Sequence, residues 1–118
     1  MTISRNLLRK KRNKGYKMRV KGTSAKPRVS IYKGTKHVYL QLVDDSLGKI
    51  LTNANENELV AAEKKKTALI KAESLAKILA SKAKKIGVKK VVFDRSGYKY
   101  LGVVKKIADT LRNEGLKF

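Results

Sequence analysis

The chain has 118 residues and carries 30 Lys or Arg against 9 Asp or Glu, a formal net charge of +21 at pH 7. That length suits one domain burying about two thirds of its unfolded surface, and a hydrophobic fraction of 42% is enough for a packed core. Cysteine is absent, which excludes a disulfide framework and a thiolate metal site, and no apolar run approaches the roughly 18 residues of a membrane span. So basic a molecule repels itself and attracts polyanions. Nucleic acid is the first candidate and an anionic membrane surface the second. With no apolar leader at its start, the chain is expected to be soluble and intracellular.

The charge is concentrated at the beginning. Residues 1–28 hold Arg5, Arg9, Lys10, Lys11, Arg12, Lys14, Lys17, Arg19, Lys21, Lys26 and Arg28, eleven cations with no acid among them. Their apolar companions (Ile3, Leu7, Leu8, Tyr16, Met18 and Val20) are too few to offset the entropy of ordering the segment. Residues 1–28 are therefore expected to be a flexible basic arm, with residues 4–14 becoming helical once neutralised. If six to ten phosphates are contacted, affinity should fall by about 10³–10⁵ between 50 and 200 mM salt. Such contacts position a ligand without reading its sequence. The turn-rich "KGTSAKP" leads into a folded domain over residues 29–118.

"RVSIYKGTKHVYLQLVDD" then alternates apolar and polar residues with period two around Lys33–Lys36, which predicts a β-hairpin. "KILTNAN" follows the turn "DDSLGK" and reads as a third strand of an antiparallel meander. Tyr32, His37, Tyr39 and Gln41 interleave with Lys33 and Lys36. Alternation places Tyr39 and Gln41 on the face away from Val38, Leu40 and Leu42. Uncovered, that face would offer stacking and base-edge hydrogen bonds to RNA; covered by a helix, it would make Tyr39 a core residue. His37 is a structural or RNA-contacting residue, since one histidine without cysteine assembles no zinc site.

A long helix is predicted from about Glu58 to Ile86, with a break near Lys64–Lys66. Its apolar stripe is Ala68, Ala72, Leu75, Leu79, Ala83 and Ile86; Lys71, Lys82 and Lys85 fall outside it, and Gly87 is the stop. "VKKVVFD" (Val88–Asp94) is predicted to be a strand buried on both faces. The loop "RSGYKYLG" follows, and Val104, Ile107, Ala108 and Leu111 mark a last helix closed by Gly115. The order β-β-β-α-β-α gives an α/β mixed sheet, an antiparallel three-stranded meander plus a parallel strand, covered by helices. Arg95, Gly97, Tyr98, Lys99 and Tyr100 sit just after a strand end, where α/β sheets often place ligand sites. They alternate rings and cations.

Catalysis is not expected. A metal-dependent nuclease needs three or four convergent carboxylates, and only Asp44-Asp45 and Asp94 stand at strand ends. Asp44-Asp45 also suits a turn, and Asp94 a pairing with Arg95 or another base. No glycine-rich phosphate loop, metal site or cofactor site is read. A general DNA-compacting protein is the remaining alternative, to be separated by competition between a structured RNA and random duplex DNA.

The stretches "RVSIYKGTKHVYLQLVDDSLGK" and "GVKKVVFDRSGYKYLGVVKKIADTLRNEGLKF" together resemble the bacterial form of the ribosomal L-eighteen family, the universal 5S-rRNA-binding family of the large subunit. The resemblance runs in order through the basic arm, the K-P-R entry, the K-H-V-Y hairpin, the alanine-rich helix, the F-D-R-x-G-Y-x-Y loop and the final G-L-x-F. It implies binding of 5S rRNA and its attachment to 23S rRNA in the central protuberance of the cytoplasmic 50S subunit, among neighbouring large-subunit ribosomal proteins. It further implies a ribonuclease-H-like topology, with no catalytic activity, cofactor, membrane or small-molecule substrate. RNA contacts carry over to the arm from Arg5 to Arg28, to Lys36, His37, Tyr39 and Gln41, and to Asp94, Arg95, Gly97, Tyr98 and Tyr100. The chain departs from the family where many relatives read Y-x-Y-H-G-R-V. Here Tyr100 is followed by Leu101, Gly102, Val103 and Val104, with Lys105 and Lys106 the nearest cations.

Overall fold

Period-two alternation lets one face of a strand be buried while the other meets solvent. β1 (Arg28–Lys33), β2 (Val38–Asp44) and β3 (Lys49–Ala54) form the expected antiparallel meander, with burial alternating most clearly along β2. β4 (Val92–Asp94) joins parallel to β1, so the four-stranded sheet runs β3-β2-β1-β4. The computed structural model describes residues 21–34, 37–95 and 98–118. Val29, Ile31, Val38, Leu40 and Leu42 all point to one face and are fully buried there. Opposite them, the register pairs Tyr32 with Tyr39, Ser30 with Gln41 and Arg28 with Val43.

The long helical stretch is three pieces, a 3-10 turn (Glu56–Glu58), α1 (Ala61–Lys64) and α2 (Ala68–Lys85). Its start is delayed by a capping box. The Asn55 side chain accepts from the Asn57 N–H and Glu58 accepts from the Asn55 N–H, both at 2.9 Å, after which Leu59 and Val60 return to extended backbone. α2 lays Ala72, Leu75, Ala76, Leu79, Ala80 and Ala83 on β2 and β3. Alanine dominates this stripe, so the helix backbone lies close to the sheet. Ile86, expected to end the stripe, is instead exposed at the helix cap. Lys71, expected outside it, is 6% exposed and donates to Glu56 at 2.9 Å.

α3 (Val103–Asn113) buries Val104, Ile107, Ala108 and Leu111 beside α2. The two helices run the same way, since Glu73 meets Lys106 near their starts and Lys84 lies against Gly115 past their ends. Each stops in the same motif: Val88 N–H returns to the Ala83 carbonyl and Leu116 N–H to that of Leu111. The intervening residues, Gly87 (φ 83°) and Gly115 (φ 103°), occupy the left-handed region that motif requires.

β4 differs from expectation. Only three of the seven residues Val88–Asp94 pair with β1, and β4 is an edge strand with Val92 and Phe93 half-buried, not a strand enclosed on both faces. The reason lies in its partner. Val92 N–H donates to the Pro27 carbonyl at 2.8 Å, but Pro27 has no N–H to continue the ladder. Lys89–Val91 turn instead to the chain end, where Lys117 accepts from Val91 N–H and donates to the Lys89 carbonyl, each at 3.0 Å. At the opposite edge, β3 has no further strand beside it among the described residues, and Lys82 Nζ donates to the Asn53 carbonyl at 2.8 Å.

Candidate nucleic-acid interface

The helices occupy one face of the sheet; on the other, the hairpin end is open, whereas Ser30 and its partner Asp94 are buried. Tyr39 is 41% exposed and Tyr32 40%, which decides the question alternation left open in favour of a free face. Directly opposite in register, the two rings stack with centroids 4.5 Å apart and planes 6° from parallel. The next row across the sheet is Ser30, Gln41 and Asn53, and the row after it brings Val43 beside the exposed Ile50. Rings, then the amides of Gln41 and Asn53, then aliphatic groups follow one another on one surface, whereas Ser30 at the β1 end of the middle row is buried. Stacked tyrosines offer π-faces to unpaired bases, and the amide row offers both donors and acceptors. Asn53 was not among the residues singled out from sequence; its place opposite Ala54 in the alternation of β3 is the signal that identifies it.

The hairpin bearing these rings is tied to the helical layer. His37 Nδ1 lies 2.6 Å from one Glu56 oxygen, and Lys71 donates to the other at 2.9 Å. Burial pushes the Glu56 carboxyl up, but the bonds from His37 and Lys71 outweigh it and hold the group below its ordinary value. The His37 side chain remains 78% exposed and Lys33 is exposed beside it. Lys36 lies outside the described residues.

The second group of candidates divides. Tyr98 is half-buried, and its hydroxyl donates to the Lys33 carbonyl at 2.8 Å while accepting from the Lys33 N–H at 3.2 Å. It therefore fastens the loop to the end of β1. Tyr100 is 42% exposed, edge-on to Phe93, with its hydroxyl accepting from Arg112. Lys99 is exposed and Arg95 half-buried. Gly97 lies outside the described residues. Of the two positions that depart from the family pattern, Val103 is buried and Leu101 is 62% exposed.

Arg28 belongs to the fold itself. Its Nε and Nη2 donate to Asp45 at 2.9 and 3.1 Å and its Nη1 to Asp94 at 2.7 Å, with 14% of the side chain exposed. All three guanidinium nitrogens are thus engaged by carboxylates. The bond from Arg28 is the main cause of an Asp45 carboxyl held below its ordinary value. Asp45 also bonds the incoming chain, accepting from Gly22 N–H at 2.7 Å and returning its own N–H to the Gly22 carbonyl. Asp44 turns the other way and accepts from Ser46. Two of the acids considered for a nuclease are thus joined through one arginine, and no group of three or more metal-ligating side chains occurs among the described residues. Lys21 is exposed at the start of the described chain, whereas Arg5, Arg9, Lys10, Lys11, Arg12, Lys14, Lys17 and Arg19 lie outside it.

A basic α/β domain whose free sheet face presents stacked rings and amides is of the class suited to nucleic acid. Comparison with known proteins narrows that class. The family described as "Ribosomal L18 of archaea, bacteria, mitoch. and chloroplast" matches residues 3–118. The "Large ribosomal subunit protein uL18" of Petrotoga mobilis is 41% identical, over 98% of this chain and 97% of its own length. Those of Endomicrobium trichonymphae (44%, covering 91% of this chain and 92% of its own) and Caldanaerobacter subterraneus (42%, covering 98% and 96%) are similar. The chain belongs to this family, one of ribosomal structural proteins and not of enzymes.

Proposed function

We propose that the chain is a structural constituent of the large ribosomal subunit that binds 5S rRNA and helps attach it to 23S rRNA in the central protuberance. Family membership supports the ribosomal role, and the charge of +21 supports a polyphosphate ligand. The observation that carries the reading is the exposed Tyr32–Tyr39 stack at the hairpin end of the sheet, beside the amides of Gln41 and Asn53. Cations capture the RNA without selecting it; rings and amides select irregular, partly unstacked segments. The basic arm from Arg5 to Arg19 supplies most of the capture, with Lys36 adding to it, and Lys33, His37, Lys99 and Tyr100 border the selecting surface.

Competition of 5S rRNA against random duplex DNA tests this. Preference for 5S rRNA that is lost in Tyr39→Ala supports the reading. Equal binding of both ligands by the unaltered protein would reduce it to non-specific adhesion.

A further inference from the structure

At the end of the domain opposite the hairpin, five lysines stand outside the proposed interface. Lys84 and Lys85 close α2, Lys89 and Lys90 precede β4, and Lys117 follows α3. All five are exposed, and no ion pair engages any of them among the described residues, whereas Lys71, Lys77, Lys82 and Lys106 each meet a glutamate. The backbone gathers them. Lys90 and Lys117 are partners in an isolated parallel bridge, flanked by the bonds that join Lys117 to Lys89 and Val91. Lys84 approaches from the helix side, its Cε and Nζ 3.8 Å from where a Cβ at Gly115 would stand.

The negative end of a helix dipole favours cations, which accounts for Lys84 and Lys85. It does not account for Lys90 beside Lys117. Like charges facing each other across a bridge destabilise it, and neither lysine forms an ion pair among the described residues to offset the repulsion. We propose that this lysine end is a second nucleic-acid site that grips the phosphate backbone of an RNA double helix. Lysine ammonium groups are compact charges matched to phosphates, and they lack the planar fork that reads base edges. A protein partner would need an apolar centre, yet Ile86 is the one large apolar side chain exposed in this cluster among the described residues. The neighbouring ring of Phe118 is already stacked on Phe93 and lies under Arg112. Since β4 opens opposite Arg28 and the hairpin leaves from Lys33, the two sites lie at opposite ends of β1 and can be filled together.

The test uses the full chain, a short labelled RNA duplex of arbitrary sequence, and the variant Lys85→Gln/Lys89→Gln/Lys90→Gln. Protein saturated with 5S rRNA should still capture the duplex. The variant should lose that capture by about tenfold or more, its salt slope falling by about 0.9 for each phosphate contact removed, with 5S affinity unchanged. A control variant, Lys64→Gln/Lys65→Gln/Lys66→Gln, removes as much charge from the end of α1 and the link to α2 and should capture normally. Single substitutions of Lys89 and Lys90 should act in the same direction should the triple variant fail to fold. Unchanged capture by the 85/89/90 variant, competition between duplex and 5S rRNA, or displacement of the duplex by polyglutamate at equal charge would overturn the proposal. Failure to bind 5S rRNA would count against the proposed function alone, because the difference in duplex binding between the free protein and its 85/89/90 variant would still report on these lysines.

Discussion

Arg28 ties three parts of the structure together. It joins the start of β1 to the β2–β3 turn through Asp45 and to β4 through Asp94, whose side chain is fully buried. Arg28→Ala would remove the guanidinium that bridges Asp45 to the buried Asp94 side chain, and a loss of about 3 kcal/mol is expected in urea denaturation. Acid should act through the same group. Because Arg28 lowers the Asp45 carboxyl, its contribution is complete above the ordinary value of 3.8 and is lost as pH falls through the lower folded value. Asp45→Asn should flatten stability against pH in that acid window, measured by thermal melts. Gly22 closes the junction, for a Cβ there would lie 2.2 Å from the Arg28 backbone nitrogen and 2.7 Å from the Val43 carbonyl oxygen. Gly22→Ala should therefore destabilise the domain by about 2 kcal/mol. None of this is legible in the chain, since the partners of Arg28 lie 17 and 66 residues away and local patterns carry no record of them. Read from composition alone, Arg28 is one more arm cation.

At the scale of elements, the meander and the hydrophobic faces of α2 and α3 are legible because periodicity reports burial directly. What periodicity misses is competition at element ends. The capping box at Asn55 cuts off the first turns of the long helix, and Pro27 cuts β4 short. The free sheet face was half legible: alternation put Tyr39 and Gln41 together, but which face the helices would take is a tertiary outcome. Stacking of the two tyrosines also follows from register, which fixes Tyr32 opposite Tyr39. Replacing Tyr39 by Ala should weaken 5S rRNA binding by about 1–3 kcal/mol while the melting temperature moves little, because the ring is exposed. Tyr98→Phe should do the reverse. Losing its two bonds to Lys33 should cost about 1 kcal/mol of stability, with RNA affinity reduced only as far as the loop loosens.

The whole molecule is organised by unequal distribution of charge. Removing residues 1–20 spares the Gly22–Asp45 junction, so the domain should fold as before while 5S affinity and its salt slope both fall. Cutting at residue 28 would instead remove Arg28 and the junction with it, and would confuse loss of binding with loss of fold. The outer edge of β3 adds a constraint on handling the free protein. Among the described residues it is an open strand edge guarded by Lys82 at one carbonyl, and otherwise chiefly by the mutual repulsion of molecules carrying +21. Salt concentrated enough to strip away RNA also screens that repulsion. Preparations freed of ribonucleic acid in strong brine are therefore the ones in which strand-to-strand sticking should set in, and dilution of the brine should reverse its earliest stage.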